Sequence, residues 1–263
     1  MTRMRSLLFV PGDSEKKLAK SEGIPADVLI LDLEDSVAQS HKVRAREMVC
    51  EYLSQRDRSS SKQLWVRMNS IGHAEAGADL SAIMPARPDG IMLPKTRSPA
   101  DLELLGRHIG TYEAEHEIKV GSTRILPVAT ETPQSLFTLG DYVQSNQRLA
   151  GLTWGAEDLS AAIGAISSRD ENGDWTDPYR LVRSLCLFGA HAAGVAAIDT
   201  LYPDFRDSNG LEQSCAEARR DGFSGKLAIH PGQVEVINRA FTPSEAELEQ
   251  ARRIVALFEA NPD

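Results

Sequence analysis

Three carboxylates fall within four positions in the segment VLILDLEDSV, residues 28–37. Asp32, Glu34 and Asp35 follow an apolar run of the length of a buried strand. Buried carboxylates are costly unless they are paired, hydrogen-bonded or bound to a cation. The segment therefore predicts a basic side chain or a hard metal ion close to these acids.

Other apolar runs along the chain also end on polar residues. Each residue has an ordinary explanation, such as a helix cap, a loop salt bridge or a hydrogen-bonded packing residue. Their repetition at strand ends indicates instead that they meet at one site. The set comprises Arg67, Asn69, Lys95, Glu131, Glu157, Asp158, Asp199 and His230.

Two of these acids have the chemistry of a magnesium site. Glu131 and Asp158 (or Glu157) would follow neighbouring strands, which lie about 4.8 Å apart in a sheet. Two carboxylates at matching heights can share one Mg²⁺, which keeps its other positions for water and substrate oxygens. We therefore predict that Glu131 and Asp158 bind the metal.

An anionic substrate is predicted beside that metal. Arg67 offers a planar donor fork suited to a carboxylate. The turn formed by Gly155, Ala156, Glu157 and Asp158 would add backbone N–H groups. With the two acids, these groups would bind a 2-oxo acid and stabilise an enolate or alkoxide.

The elements that must position these residues are eight apolar strands that alternate with helix-like segments. Such alternation predicts a parallel sheet covered on both faces, and eight units predict a (β/α)₈ TIM barrel as a single domain over residues 1–263. An open doubly wound sheet is the alternative, although the first strand lacks a Gly-rich dinucleotide loop. The predicted strands are Ser6–Val10, Val28–Asp32, Leu64–Met68, Gly90–Leu93, Ile125–Ala129, Gly151–Trp154, Ala196–Asp199 and Leu227–Ile229.

Two of the predicted helices carry apolar stripes at helical spacing. The segment at residues 177–194 has one stripe of Leu181, Leu185 and Phe188. The segment at residues 243–259 has another, and Pro243 and Ser244 open it. Its stripe comprises Leu248, Ala251, Ile254, Val255 and Phe258.

Composition excludes several classes of function. The net charge of -9 argues against non-specific nucleic-acid binding. Three scattered cysteines are too few for a disulfide framework, and we expect a reducing cytosol. The first apolar run is too short for a secretory signal, and no run has the length of a membrane helix. We therefore expect a cytoplasmic protein with no membrane partner.

The ordered motifs resemble the citrate lyase beta-subunit-like proteins of the HpcH/HpaI aldolase/citrate lyase family, relatives of malyl-CoA lyases. The matching pieces span nearly the whole chain and include RSLLFVPG, ADVLILDLEDSV, VRMN, GIMLPK, ETP, WGAEDL and GKLAIHPGQ. The resemblance implies a TIM barrel, trimeric or hexameric, that uses Mg²⁺ to cleave or form a carbon–carbon bond next to a CoA thioester.

The resemblance also implies roles for particular residues. Glu131 and Asp158 correspond to the metal ligands, and Arg67 to the residue that holds the oxo-acid carboxylate. The acids of DLED correspond to outer groups that accept hydrogen bonds from metal-bound water and from Arg67. Phe9 and Lys20 correspond to contacts with the adenine and phosphates of CoA. Relatives often carry an arginine near Ser14, and we expect Lys16 or Lys17 to replace it.

The general acid or base is the least determined residue. Malyl-CoA-type relatives continue into a C-terminal lid that donates an aspartate to a neighbouring subunit. This sequence ends at FEANPD, so we expect that lid to be absent. Glu34 or Asp35 is then the candidate acid–base group, together with Arg67 in the catalytic set.

The leading prediction is a Mg²⁺-dependent lyase that splits a 3-hydroxyacyl-CoA, such as citryl-, malyl- or citramalyl-CoA, into an acyl-CoA and a 2-oxo acid. One alternative is a metal-dependent aldolase of 2-oxo-3-deoxy acids without CoA. Another is a non-catalytic or complex-dependent subunit that acts on an acyl carrier. A Schiff-base aldolase using Lys95 is disfavoured, because the two predicted metal ligands would then have no purpose.

Overall fold

Eight parallel strands form a nearly closed barrel in the computed structural model, which describes residues 3–144 and 147–260. Seven strand pairs are parallel neighbours in the order β5-β4-β3-β2-β1-β8-β7-β6. Parallel bridges between Ile125 and Leu149 and between Val128 and Thr153 join β5 to β6. The predicted single-domain TIM barrel is confirmed. The strands are β1 Ser6–Pro11, β2 Val28–Asp32, β3 Gln63–Arg67, β4 Gly90–Leu93, β5 Arg124–Pro127, β6 Gly151–Thr153, β7 Ala196–Asp199 and β8 Gly225–Ala228.

Helices cover the outside of the barrel. The crossover from β5 to β6 differs from the others, because the 3₁₀ segment Pro133–Gln144 takes the place of an α-helix. Shorter 3₁₀ turns occur at Gln39–His41, Met84–Ala86 and Pro231–Gln233. The α-helices are α1 Glu15–Ser21, α2 Lys42–Ser54, α3 Ala76–Ile83, α4 Pro99–Glu115, α5 Glu157–Ile163, α6 Asp177–Ala192, α7 Ser208–Asp221, α8 Val234–Ala240 and α9 Glu245–Ala260.

Strand side chains alternate between two separate apolar cores, as the pleat requires. The inner core fills the barrel with Leu7, Ile30, Trp65, Met92 and other side chains. The outer core packs the remaining strand residues against the helices. Residues that follow each strand at the carboxyl end therefore stand above the inner core, at the barrel mouth, where chemistry is found in such folds.

The apolar stripe predicted on α6 faces the barrel only at Leu185, which packs against the outer core. Leu181 and Phe188 are exposed, at 59% and 65% of their surface. A second series at helical spacing, which includes Tyr179, Val182 and Cys186, supplies the buried face instead. Two apolar faces share this helix, and the sequence pattern alone did not distinguish the one that packs.

Helix α9 buries none of its side chains against the barrel. Its stripe is exposed along its length, with Leu248 at 42%, Ile254 at 47% and Phe258 at 75%. Arg219 of α7 binds Glu247 at the start of the helix. The predicted helix is thus present, while its apolar face has no partner in the described part of one chain.

In the described ranges, no helix is both long enough and apolar enough to cross a membrane. Cys50, Cys186 and Cys215 are free thiols, and the latter two are buried in the outer core.

Candidate active site

Arg67 and Asp32 form a two-bond ion pair at the barrel mouth. They are register partners on the neighbouring strands β3 and β2. Arg67 Nε and Nη2 each donate to one carboxylate oxygen of Asp32 at 2.7 Å. Asp32 also accepts the backbone N–H groups of Glu34 and Ser36. Both carboxylate oxygens of Asp32 therefore accept hydrogen bonds, from Arg67 and from the backbone of the loop that follows β2.

The charge of this pair is fixed by its surroundings. Burial favours the neutral form of Asp32, but the hydrogen bonds and charge of Arg67 outweigh it and lower the pKa of the carboxyl. Burial alone would lower the pKa of Arg67, yet Asp32 raises it above its ordinary value. The Phe9 ring lies under the guanidinium, 4.7 Å from Cζ to the ring centroid. Arg67 is thus held as a rigid cation.

Glu34 is a buried carboxylate that lies between the cations Lys95 and Arg67. Its Oε1 accepts from Lys95 Nζ at 2.5 Å. Its Oε2 lies 3.1 Å from Arg67 Nη1 but is not aligned for a hydrogen bond with any described group. Burial raises the pKa of Glu34, against the opposing charges of Arg67 and Lys95. Asp35 is more exposed and lies 3.6 Å from Arg67 and 3.5 Å from Lys95.

Lys95 links the acids that follow β2 to those that follow β5 and β6. Its ammonium lies 3.5 Å from Asp158 Oδ1 as well as beside Glu34 and Asp35. Its backbone N–H donates to Glu131 Oε2 at 2.5 Å. Lys95 adopts a φ of 52°, in the left-handed region that is strained for a residue with a side chain. Burial opposes its charge, but Glu34 raises its pKa, so the side chain is a cation rather than a free amine nucleophile.

Glu131 is a buried carboxylate whose charged form would be stabilised by a cation. It is 7% exposed. Burial and, to a smaller extent, the negative charges of Asp158 and Glu34 outweigh the N–H of Lys95 and raise the pKa of Glu131 to about 8. A Cβ at Gly155 would lie 3.1 Å from Cγ and Oε1 of Glu131. The glycine therefore leaves the room in which this carboxylate sits.

The donors around Glu131 fit a hard cation. Glu131 and Asp158 are close enough for the charge of one to raise the pKa of the other. A Mg²⁺ ion needs only one or two protein carboxylates, because water and substrate oxygens complete its shell. Among the described residues no group of three or more His, Cys, Asp or Glu side chains is arranged to hold a metal. Glu131 and Asp158 are therefore the residues that could hold such an ion, with water and substrate oxygens completing its shell.

The turn after β6 contributes its side chains unequally. Asp158 points to Lys95, whereas Glu157 is exposed. Ala156 is buried, and the N–H of Gly155 donates to Thr130 Oγ1. That amide is already satisfied, so the predicted cluster of free backbone donors is smaller than the sequence indicated.

A buried lysine that sequence reasoning missed supports the loop after β2. Lys42 Nζ donates to the carbonyls of Leu33 and Glu34 and to Asn69 Oδ1. Asn69 is held in turn by Asp79. These contacts fix the backbone from which Glu34 and Asp35 project. Lys42 opens an amphipathic helix, where the sequence offers no signal that its ammonium turns inward.

The residues predicted to contact CoA occupy two places. Phe9 lies inside the mouth beneath Arg67, against the inner core. Lys16 and Lys20 are exposed on α1, and Lys17 is exposed beside them. These lysines lie on the helix that follows β1.

Two other predicted mouth residues make different contacts. Asp199 is the last residue of β7, and its buried side chain lies on the outer face of the barrel, where it accepts from Lys226, Trp154 and Arg183. It alternates with Ile198, whose side chain fills the barrel, so the pleat turns Asp199 outward. His230 accepts the N–H of Gly232 and stacks on Phe205. Asp199 is therefore a structural charge, and His230 caps a turn at the end of β8.

Comparison with known proteins agrees with this geometry. The model of the HpcH/HpaI aldolase/citrate lyase family matches residues 5–231. A (3S)-malyl-CoA thioesterase of Cereibacter sphaeroides is 34% identical over 97% of this chain and 83% of its own length. The mitochondrial citramalyl-CoA lyase of Rattus norvegicus is 33% identical over 97% of this chain and 76% of its own length.

A solved structure is similar over almost the whole fold. Protein CitE from Mycobacterium tuberculosis, in complex with magnesium, acetoacetate and coenzyme A, superposes with a TM-score of 0.79. It is 31% identical over 98% of this chain and 88% of that chain. The barrel, its acidic mouth and these likenesses agree: the chain belongs to the HpcH/HpaI aldolase/citrate lyase family and is a lyase of that family.

Proposed function

We propose that this protein is a Mg²⁺-dependent carbon–carbon lyase that cleaves a 3-hydroxyacyl-CoA to an acyl-CoA and a 2-oxo acid, or runs the reverse condensation. Citryl-, malyl- and citramalyl-CoA are the candidate substrates. The observation that carries the proposal is the meeting of Glu131 and Asp158 with Arg67 at one mouth. Bound Mg²⁺ would polarise the oxygens of the oxo acid and stabilise negative charge as it develops there.

Arg67 would hold the carboxylate of the oxo-acid half. Its Nε and Nη2 are occupied by Asp32, while Nη1 is paired with Glu34 at 3.1 Å and with Asp35 at 3.6 Å. A substrate carboxylate at Nη1 would gain a charge-assisted bond to a guanidinium that is already oriented. The binding energy is not spent on ordering a free side chain.

Glu34 is our candidate for the group that takes the hydroxyl proton in cleavage. Its Oε2 is buried and has no hydrogen-bond donor among the described residues. Burial raises its pKa, which brings a carboxylate closer to the range in which a general base works at neutral pH. Asp35, beside it and more exposed, is the alternative.

Binding of CoA would use the side of the mouth formed by β1 and α1. Lys16 and Lys20 are exposed there and could neutralise phosphates, while Phe9 offers an apolar face lower in the mouth. The support is the M. tuberculosis protein whose structure contains coenzyme A together with magnesium. We propose that Lys16 and Lys20 contact the phosphates of CoA. For Phe9 we propose an apolar contact with CoA, without naming the part of the ligand that it touches.

We also propose that the protein is a cytoplasmic homotrimer or homohexamer. The support is the exposed apolar stripe of α9, which a single chain leaves unburied. Exposed apolar surface of this kind marks interaction sites.

A second candidate reaction is hydrolysis of the CoA thioester, because the C. sphaeroides relative is a malyl-CoA thioesterase. The two reactions leave different products. Cleavage of the carbon–carbon bond yields a 2-oxo acid and an intact acyl-CoA, whereas hydrolysis yields free CoA thiol.

The test is to incubate the protein and Mg²⁺ with each candidate acyl-CoA and to measure the oxo acid and the free thiol separately. Oxo acid without thiol supports the lyase, and thiol without oxo acid replaces it with the hydrolase. Activity on 2-oxo-3-deoxy acids alone would identify a CoA-independent aldolase. Turnover only with partner subunits added would identify a complex-dependent subunit.

A further inference from the structure

The ammonium of Lys95 lies among carboxylates at the barrel mouth, and the backbone of Lys95 is in the left-handed region. Its ammonium is within 3.5 Å of Asp158 and of Asp35, and closer still to Glu34. Its own N–H holds Glu131 Oε2. One residue therefore touches both proposed metal ligands, Glu131 through the backbone and Asp158 through the side chain.

The backbone conformation of Lys95 serves this double contact. A φ of 52° is strained for a residue with a side chain. Such a conformation persists where the surrounding contacts stabilise it. Here the left-handed turn aims the N–H at one acid while the side chain crosses the mouth to three others. A glycine would adopt the turn more easily but would supply no charge.

A divalent ion bound to Asp158 would stand beside that ammonium, and like charges in a partly buried mouth repel one another strongly. The side chain has a place to go. A pocket of about 390 Å³, which we call the side pocket, opens next to Lys95 and is lined by polar groups. Lys95 itself forms part of its wall, and the other walls include Glu34, Asp35, Gln39, Lys42, Ser70 and His73.

We propose that Lys95 is a tethered counter-cation for the carboxylate cluster, which Mg²⁺ displaces from Asp158 into the side pocket. The inference rests on the proposed function, because it takes Glu131 and Asp158 as metal ligands. Lys95 is a positioning residue in this scheme. Its ammonium holds Asp158 in place before the metal arrives, and its N–H continues to hold Glu131 afterwards.

Displacement of the ammonium predicts a change in chemical reactivity that does not depend on turnover. An amine locked on carboxylates reacts slowly with an amine-reactive reagent, and a released one reacts faster. We expect labelling of Lys95, read by mass spectrometry, to rise severalfold when Mg²⁺ is added at constant pH and ionic strength. Labelling of Lys119, which is exposed after α4, should not change.

Calorimetric titration with Mg²⁺ supplies the second readout. Lys95→Met removes the competing charge and should bind Mg²⁺ about tenfold more tightly than the wild type. Lys95→Gly keeps the left-handed turn and the N–H to Glu131, so it should bind at least as tightly as Lys95→Met. Thermal unfolding shows that each variant is folded before it is titrated.

These experiments distinguish a failure of the Lys95 displacement from a failure of the proposed lyase function. Wild-type protein that binds no Mg²⁺ contradicts the proposed function itself. Wild-type protein that binds Mg²⁺ while the labelling of Lys95 falls or stays constant overturns the displacement and leaves the lyase intact. Weaker Mg²⁺ binding by both variants also overturns it, because Lys95 would then support the metal rather than compete with it.

Discussion

Asp32 and Arg67 face each other across β2 and β3 and share two hydrogen bonds of 2.7 Å each. The acids of the DLED segment predict a basic side chain or a metal ion nearby. Arg67, on the next strand, is the basic side chain that pairs with the buried Asp32. Because Asp32 takes Nε and Nη2, it leaves Nη1 for the mouth. The fold thus orients one donor of the guanidinium before any substrate binds.

Asp32→Asn should uncouple Arg67 from its support. The substitution keeps the shape but removes the charge, and a buried pair that loses one partner typically destabilises a protein by about 3–5 kcal/mol. The remaining amide contacts should keep the loss in the free energy of unfolding to about 2–3 kcal/mol. Oxo-acid affinity should also fall, as measured by calorimetry.

Asp177→Asn is the matched control for that variant. Asp177 is 97% exposed and lies 3.7 Å from Arg180. Exposed pairs contribute little, so urea unfolding should give the wild-type free energy within about 0.5 kcal/mol. Equal losses in the two variants would contradict the structural role of Asp32.

Gly155→Ala should displace Glu131 and weaken Mg²⁺ binding by about tenfold. The added Cβ would meet Cγ and Oε1 of Glu131 at 3.1 Å, so the carboxylate must move. Calorimetric titration with Mg²⁺ measures the effect. Gly140→Ala, which introduces a Cβ with nothing within 4 Å, should bind Mg²⁺ as the wild type does.

Lys226→Met should destabilise the protein most at neutral pH. Burial would raise the pKa of Asp199, but Lys226 and Arg183 lower it. A carboxyl with a lowered folded pKa stabilises the fold above its unfolded pKa, about 3.9, and that contribution is lost as the pH falls through the folded value. Without Lys226 the acid is a poorly matched buried charge, which costs about 3–5 kcal/mol at pH 7.

Protonation of Asp199 removes the charge that Lys226 balances, so the deficit of Lys226→Met relative to the wild type should be full above about pH 4 and should shrink as the pH falls below it, toward the lowered folded pKa of Asp199. Urea unfolding at several pH values measures it. A deficit that does not change with pH would show that the lysine contributes packing rather than charge.

The oligomer should depend on the exposed face of α9. Light scattering should give a trimer or hexamer for the wild type and a smaller species for the double variant Ile254→Ser, Phe258→Ser. Both side chains are about half exposed or more in one chain. Phe137→Ser removes another exposed aromatic side chain, on the 3₁₀ segment, and should leave the mass unchanged.

The barrel could be predicted because its strands are short apolar runs at regular intervals, and this periodicity is local. The mouth residues could be predicted for the same reason, since parallel strands end on one face. The direction of a side chain at a strand end could not, because a shift of one residue reverses it. Asp199 is the example: one pleat turns it away from the mouth toward Lys226.

Contacts between distant segments also escape sequence reasoning. Lys42 turns its ammonium into the loop after β2 only because the carbonyls of Leu33 and Glu34 converge there. The left-handed turn at Lys95 is likewise set by the acids around it. Exposure of the α9 stripe depends on where the helix lies relative to the barrel, which amphipathic spacing does not encode.

Calorimetric titration of the protein with oxaloacetate tests whether Glu131 and Asp158 bind a Mg²⁺ ion that in turn binds a 2-oxo acid. Binding should require Mg²⁺ and be lost in Glu131→Ala, while thermal unfolding shows that this variant is folded. Acetyl-CoA should then bind to the ternary complex. Oxaloacetate binding of equal affinity with and without Mg²⁺, or unchanged in Glu131→Ala, would contradict the account.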